Sequence, residues 1–396
     1  MNIVFHRYGN ICEPDIMESF SKIGLNIIED DMEVENKSIP GDVRVEIISR
    51  LILENSPLFV FSINFFPYIS EICNRLNVLY ICWTVDSPVL ELYSDSIANK
   101  TNRIFLFDYK QYLLFKDKNP EGIFYLPLAT NIGRWKNELG ETITDPDYLY
   151  DISFVGSLYD ENLVYSRIRI PTELRLMVDD LLRKQMQTER LEILEENLTD
   201  ETINLIWETL RKDEPSFADK YMLNRDKNEV RKVFVINNLL GFDISSRERL
   251  AVIKAASEVG QTHVFSKSQK TLSSSTVFHG PVSTHKEMPR VFSTSKINLN
   301  ITMRGIQTGI SQRVWDVLGC GGFLMSDYQE EIPEYFDIGK DLVCFKNEKE
   351  CKELTDHYLH NDAERKEIAL NGYKKVLQYH SYDLRVSQML KKAFNS

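Results

Sequence analysis

The 396-residue sequence has little that would mark a membrane-spanning or nucleic-acid-binding protein. Its most apolar run, residues 58–66, is far too short to cross a bilayer. Residues 1–5 are typical of a strand and lack the basic region and cleavage site of a signal peptide, so the sequence predicts a cytoplasmic protein. The formal net charge of −12 opposes nonspecific binding to nucleic acid, because phosphate groups attract basic surfaces.

Cysteine and metal motifs are also scarce. The six cysteines contain no CxxC pair, so reduced thiols are expected rather than disulfides or a zinc site. His357 and His360 are one helical turn apart but lack the pattern of a third ligand. Asp145-Pro-Asp147 has the spelling of the Asp-x-Asp motif of metal-dependent transferases, yet it lies in a presumed linker. We therefore expect no metal site and no bound cofactor.

Short apolar strands alternate with helix-like segments through residues 1–147. Continuous apolar strands separated by helices predict a parallel sheet covered on both faces, which is a Rossmann-like α/β domain. A polar stretch at 137–147 breaks the pattern, and the domain boundary is placed there. The expected strands are 2–5, 58–62, 78–83, 103–107 and 123–126, with helices such as 43–54 and 69–76 between them.

A second α/β series occupies residues 148–380 and opens with a strand at 151–157. A charged stretch at about 159–238 has no glycine and is interpreted as a helical insertion. The series resumes with a helix at 246–258, N-capped by Ser245 or Ser246. The remaining expected elements are strands at 262–265, 276–278, 296–301, 322–325 and 342–345, helices at 348–360, 363–380 and 384–394, and a tail, 381–396, that packs back towards the first domain.

Two doubly wound domains would place a ligand cleft at the carboxyl ends of their strands. The chemically richest segment follows one such strand, Ile297-Asn-Leu-Asn-Ile301. Gly309 precedes a helix whose backbone N–H groups would face an anion, and Arg304 and Arg313 would neutralise a diphosphate. Asp316, one turn beyond Arg313, has the carboxylate that would accept ribose hydroxyls. Alone, this pattern favours a βαβ turn with a surface Arg–Asp pair at i,i+3 over a ligand site.

A family resemblance favours the ligand-binding interpretation. The motifs from Thr308-Gly309 through Asp316 to Asp327, then Glu331 and 336–341, resemble the carboxy-terminal domain of the CgeB-like spore-maturation glycosyltransferases. They are more distantly similar to the group-1 glycosyltransferases of GT-B fold. Further similar segments are Phe154-Val-Gly-Ser-Leu158, Trp83-Thr-Val-Asp-Ser-Pro88, Phe105-Leu-Phe-Asp108, Leu126-Pro-Leu-Ala-Thr130, Asn371-Gly-Tyr373 and His380-Ser-Tyr382.

The resemblance implies a GT-B fold of two Rossmann-like domains facing across a cleft, and a metal-independent hexosyltransferase with a nucleotide-sugar donor, a UDP-sugar first. It implies that Asp316 binds the ribose and that Gly309 faces the diphosphate. Thr308 stands where the family has a glutamate that contacts the donor sugar, so this sequence departs from the family there. The loop Gly280, Pro281 and Val282 would read the nucleobase, and Ser157 and Lys267 would add polar contacts.

A general base is expected from the first domain. Asp86 follows a strand whose carboxyl end would face the ligand, although a turn-forming or helix-capping role before Ser87-Pro88 fits it equally well. His6, after the first strand, is the second candidate. With Arg304 and Arg313 stabilising the leaving diphosphate, no metal is required.

Other functions remain open on the sequence. The acceptor is expected to be a protein or a glycan, but a nucleotide-sugar epimerase of the same fold needs no acceptor. A non-catalytic spore- or surface-assembly protein would keep the fold as a binding module. The insertion would bind the acceptor or form a homodimer.

Overall fold

The structure is a computed structural model that describes residues 1–140, 146–188, 191–220, 227–268 and 272–395. Asp145 of the Asp-x-Asp spelling lies outside the described residues. The strands in the described part of the chain are β1 (Asn2–His6), β2 (Asn26–Asp30), β3 (Phe59–Ile63), β4 (Leu79–Trp83), β5 (Asn102–Leu106), β6 (Ile123–Tyr125), β7 (Tyr150–Val155), β8 (Thr262–Phe265), β9 (Thr276–His279), β10 (Ser295–Asn300), β11 (Leu324–Asp327) and β12 (Val343–Phe345).

Helices connect these strands. The α-helices in the described residues are α1 (Glu13–Lys22), α2 (Met32–Glu35), α3 (Gly41–Asn55), α4 (Pro67–Leu76), α5 (Tyr109–Phe115), α6 (Ile132–Leu139), α7 (Thr172–Gln185), α8 (Glu192–Asn197), α9 (Asp200–Asp213), α10 (Pro215–Lys220), α11 (Asn228–Val233), α12 (Gly241–Ser257), α13 (Met288–Ser293), α14 (Gln312–Gly319), α15 (Ile332–Tyr335), α16 (Glu348–His360), α17 (Asp362–Tyr379) and α18 (Tyr382–Asn395). Within the described ranges, no helix combines the length and the apolar character needed to cross a membrane.

The chain divides into two compact units. The first unit contains Met1–Thr130, Thr308–Ile310 and Tyr379–Ser396, and the second contains Asn131–Gln307 and Ser311–Gln378. Each unit has a six-stranded parallel sheet, as the alternation of apolar strands and helices predicted.

The sheet of the first unit has the strand order β2-β1-β3-β4-β5-β6. The order reverses between β1 and β3, and polar side chains follow the carboxyl ends of both strands. Phenylalanines from β1 and β3 are fully buried against Phe20 of α1, because both faces of a parallel sheet are covered by helices. Strand β2 was not predicted: it is an edge strand with charged residues, so it lacks the continuous apolar pattern.

Helix α18 belongs to the first unit. The guanidinium of Arg385 donates to the carbonyl oxygen of Pro127 (3.1 Å) and contacts Nδ1 of His380 (2.7 Å). Asp383 accepts a hydrogen bond from Ser19 of α1 (2.6 Å). These contacts attach the last helix to the segment after β6 and to α1 of the same unit.

The sheet of the second unit has the order β12-β11-β10-β7-β8-β9, and it reverses between β7 and β10. Ile152, Val264 and Leu299 from three adjacent strands lie in one buried cluster beneath α12 and α16. The carboxyl ends of β7 and β10 therefore meet at the point where parallel α/β sheets bind ligands.

The expected helical insertion between β7 and β8 is confirmed, but its end differs from the prediction. The chain is helical from Asn228 to Ser257, with a π-helix at Phe234–Leu240 between α11 and α12. Ser245 donates its hydroxyl to the carbonyl oxygen of Gly241 inside the helix (2.7 Å), so neither Ser245 nor Ser246 is an N-cap. The prediction was wrong because serine also binds the carbonyl of residue i−4 in mid-helix.

Candidate functional site

Arg249 of α12 connects the two strands that flank the switch point of the second sheet. Its guanidinium donates to the carbonyl oxygen of Ser157 after β7 (2.5 Å) and to that of Ile301 after β10 (2.7 and 3.1 Å). It lies 4.5 Å from the ring centroid of Tyr159. The carboxyl ends of β7 and β10 are therefore held together beside a buried positive charge.

Arg313, the second residue of α14, adds another positive charge to this region. Its guanidinium contacts the sulfur of Met288 and lies 5.2 Å from the ring centroid of Phe292. Burial lowers the pKa of Arg313, the carboxylate of Asp316 opposes that shift, and the neighbouring charge of Arg249 adds to it. No carboxylate of the described residues lies within ion-pair distance of Arg313. An anion would neutralise this pair of arginines.

Asp316 lies one turn along α14 from Arg313 and is 4% exposed. One of its carboxylate oxygens accepts a hydrogen bond from the side-chain amide of Gln312 (2.9 Å). The adjacent Trp315 is buried with its ring 5.3 Å from that of Phe336, which anchors the helix. Asp316 and Arg313 are thus fixed on one short, well-packed element.

Arg304 makes a different set of contacts from Arg313. Its Nε donates to both carboxylate oxygens of Glu248 (2.9 Å each), and its Nη1 donates to the carbonyl oxygen of Thr188 (2.6 Å). The structure therefore gives Arg304 an internal carboxylate partner, whereas Arg313 has none in the described part of the chain.

Thr308 and Gly309 are grouped with the first unit. The Thr308 hydroxyl donates to a carboxylate oxygen of Asp108 (3.0 Å) and accepts from the backbone N–H of Lys110 (3.1 Å). A Cβ added at Gly309 would lie 3.0 Å from Cα of Asp108 and from the ring of Phe107. In this structure Gly309 is thus a close-packing glycine.

The loop after β9 contains the residues expected to read a nucleobase. Gly280 and Pro281 are exposed and Val282 is half-buried. Immediately before them, the ring of His279 stacks on Phe265 of β8 (4.4 Å between centroids, 10° between planes). Ser157 is half-buried after β7, where its Oγ accepts the backbone N–H of Tyr159.

Two neighbouring histidines and an exposed lysine complete this region. Nδ1 of His263 lies 2.9 Å from Nε2 of His279. Burial lowers the pKa of both imidazoles, and the positive charge of His279 further lowers that of His263. Lys267 follows β8 and is exposed.

In the first unit, His6 is buried at the carboxyl end of β1. Its Nδ1 lies 2.6 Å from a carboxylate oxygen of Asp30, the residue opposite it in β2, and its Nε2 lies 3.3 Å from the hydroxyl of Tyr68. With 1% exposure, His6 is a positioned, internal group rather than an accessible base.

Asp86 is an exposed residue after β4, and its carboxylate accepts a hydrogen bond from the amide of Asn64 (2.7 Å). The surrounding protein raises the pKa of Asp86 by desolvation, and the Asn64 hydrogen bond opposes that shift. The Asn64 amide also donates to the hydroxyl of Tyr8 (3.0 Å). Three polar side chains therefore converge at the switch point of the first sheet.

Sequence reasoning missed Arg249, Asn64 and Tyr8. Asn64 lies directly after β3 with a left-handed backbone (φ 59°), a conformation that favours Asn or Gly. An asparagine directly after a predicted strand was therefore the signal in the sequence. Arg249 gave no such signal, because its partners are 92 and 52 residues away in the chain.

The sequence of residues 247–391 matches the family model described as glycosyl transferase-like. This carboxy-terminal part, which contains Arg249, Arg313 and Asp316, is therefore glycosyltransferase-like in sequence. No curated protein sequence matches the chain significantly.

Several solved structures are similar over the full length of the chain. A Rickettsia africae glycosyltransferase has a TM-score of 0.59 at 11% identity, covering 100% of this chain and 98% of its own. Sucrose-phosphate synthase from Thermosynechococcus elongatus has a TM-score of 0.57 at 9% identity, covering 100% of this chain and 99% of its own. The Anabaena protein HepE, in complex with UDP-glucose, has a TM-score of 0.55 at 8% identity, covering 100% of both chains. These likenesses confirm the GT-B fold.

Proposed function

We propose that this protein is a glycosyltransferase that transfers a hexosyl group from a nucleoside-diphosphate sugar to a protein or glycan acceptor. A UDP-sugar is the first donor to test, because HepE is similar in fold and was solved with UDP-glucose. We further propose that this protein belongs to the CgeB-like group, because the motifs around Asp316 resemble those of that group.

The observation that carries the proposal is the positive charge at the switch point of the second sheet. Arg313 is half-buried without an ion-pair partner in the described residues; burial lowers its pKa, and the positive charge of Arg249 adds to that shift. Keeping two such cations together is unfavourable unless an anion joins them. A diphosphate is an anion whose oxygens match the planar donors of arginine.

The neighbouring residues supply the rest of a nucleotide site in this proposal. Asp316 would accept the ribose hydroxyls, one turn from the arginine that binds the diphosphate. The exposed backbone of the loop from 280 to 282 would contact the base, and Ser157 and Lys267 would contact the donor at its edge. Arg304 would not contact the phosphates; its ion pair with Glu248 would hold the loop after β10 against α12.

Transfer requires one bond to break and one to form. The bond between the anomeric carbon and the diphosphate oxygen breaks, and its electron pair stays on the diphosphate, where Arg313 and the first amides of α14 stabilise the charge. An acceptor hydroxyl oxygen bonds to the anomeric carbon, and its proton passes to Asp86. This scheme requires no metal. His6, held by Asp30, would position the surrounding loop.

The test is a panel of nucleotide sugars, with and without peptide and oligosaccharide acceptors, on the full chain. We expect nucleoside diphosphates to stabilise the protein thermally and transfer to require an acceptor. Asp316→Ala is expected to abolish donor binding with the fold intact, whereas Glu334→Ala, an exposed carboxylate on α15, leaves binding unchanged.

Each alternative outcome identifies another function. Interconversion of the donor without an acceptor would show an epimerase. Thermal stability unaffected by every nucleoside diphosphate would contradict the proposal and favour a non-catalytic assembly protein.

A further inference from the structure

The second unit contains a cavity of about 730 Å³ that the proposed nucleotide site does not use. It is lined by residues at the carboxyl ends of β10, β11 and β12 and by residues of α12. Arg183 at the carboxyl end of α7 and the residues at 186–188 that follow it, all part of the helical insertion, also line the cavity. Neither Arg313 nor Asp316 lines it.

The charges on the cavity wall balance. Six charged side chains line it: Arg183, Arg304 and Lys346 are cationic, and Glu248, Asp327 and Glu348 are anionic. Arg304 and Glu248 form an ion pair with each other, and their side chains are 14% and 15% exposed. Because no net charge remains, the cavity suits a neutral polar ligand better than a phosphate.

The polar groups offer both donors and acceptors. Asp327 accepts from the backbone N–H and the hydroxyl of Thr302 (2.9 Å each). Burial raises the pKa of this carboxyl. The hydroxyl of Tyr328 has no hydrogen-bond partner among the described residues. A ligand that carries several hydroxyls, each both donor and acceptor, would satisfy such a wall.

The rest of the wall is apolar. Val252 of α12, Met303 after β10 and Phe345 of β12 line the cavity beside the charged groups. Sugar rings have this same division, with hydroxyls around the edge and C–H groups on the faces. The volume lies within the range of about 300–1,000 Å³ that holds small ligands.

We propose that this cavity is a binding site for a neutral saccharide of one or two rings, separate from the nucleotide site. The insertion then has a role, since the end of α7 and the residues that follow it line the cavity. The inference needs the cavity and its wall only, so it stands whether or not the protein proves to be a glycosyltransferase.

The test is calorimetric titration of the full chain with maltose, cellobiose and N,N′-diacetylchitobiose, and with inorganic phosphate as the anionic alternative. We expect saturable binding of at least one disaccharide, unchanged when UDP is present. Ala251→Phe fills the cavity from α12 and should weaken binding about tenfold or more, because a packed interior leaves no room for the ring. Tyr328→Phe, which removes only the hydroxyl, should weaken binding less.

Ala255→Phe is the matched control, since Ala255 is half-buried on the same helix one turn away and does not line the cavity. It should bind the disaccharide as the wild type does. The inference is overturned if none of the three disaccharides binds, if Ala251→Phe binds normally, if UDP displaces the sugar, or if phosphate binds and competes. UDP affinity of the Arg313 variant tests the nucleotide site independently.

Discussion

Arg304 and Glu248 form a bidentate ion pair across 56 residues of sequence, with both carboxylate oxygens 2.9 Å from Nε of the arginine. The pair joins the loop after β10 to α12, beside the residue that holds β7 and β10 together. It gives Arg304 a structural function in the second unit.

Glu248→Gln should destabilise the second unit by about 3 kcal/mol, because the partly buried guanidinium of Arg304 loses its carboxylate partner. The free energy of unfolding in urea measures this. Glu208→Gln, in an exposed pair with Arg211 at 3.9 Å, should change it by less than about 0.5 kcal/mol. Equal effects of the two substitutions would show that Arg304 does not depend on Glu248.

Arg313→Met should weaken UDP binding about tenfold or more, because it removes a charge-assisted contact to phosphate. Stability should stay equal or rise, since the half-buried cation has no carboxylate partner in the described residues. Calorimetric titration with UDP measures the affinity, and unfolding in urea measures the stability. Arg290→Met, on the exposed face of α13, serves as the control. Wild-type affinity in Arg313→Met would remove the main support for the nucleotide site.

Asp86→Asn should lower kcat by about 100-fold or more if Asp86 accepts the acceptor proton, with donor affinity unchanged. Because desolvation raises the pKa of Asp86, the wild-type rate should fall on the acid side as this carboxylate is protonated above its usual range near 3.8. Asp42→Asn, an exposed residue of α3, should retain the full rate. A rate for Asp86→Asn within twofold or so of wild type would assign the base elsewhere.

The His263–His279 pair should make stability depend on pH. Both pKa values are lowered from 6.5, so the unfolded chain binds protons first as the pH falls. The stabilisation is complete above pH 6.5 and is lost as the pH falls towards the folded-state values. His279→Asn should therefore flatten the dependence of the unfolding free energy between about pH 7 and pH 5. His360→Asn, 74% exposed, should leave the slope as it is; an unchanged slope in His279→Asn would contradict this account.

Much of the fold was readable from local pattern. Buried parallel strands are continuous apolar runs, so β3, β4 and β10 were located to within one or two residues. Helix α16 was predicted with the bounds that the structure has, because Asn347 caps its first turn and its apolar residues recur at helical spacing. Strand β2 and the start of α12 were missed, since a polar edge strand and a serine inside a helix break those local rules.

The candidate site was less accessible to such reasoning. The sequence by itself determined that a glycine-bearing loop, Arg313 and Asp316 follow a strand of the second sheet, because these residues are neighbours along the chain. Only the tertiary structure decided that the charge of Arg249 acts on Arg313 and that Arg304 pairs with Glu248 instead. The physical reason is that hydrogen bonds and ion pairs act over a few ångströms of space, whatever the separation in sequence.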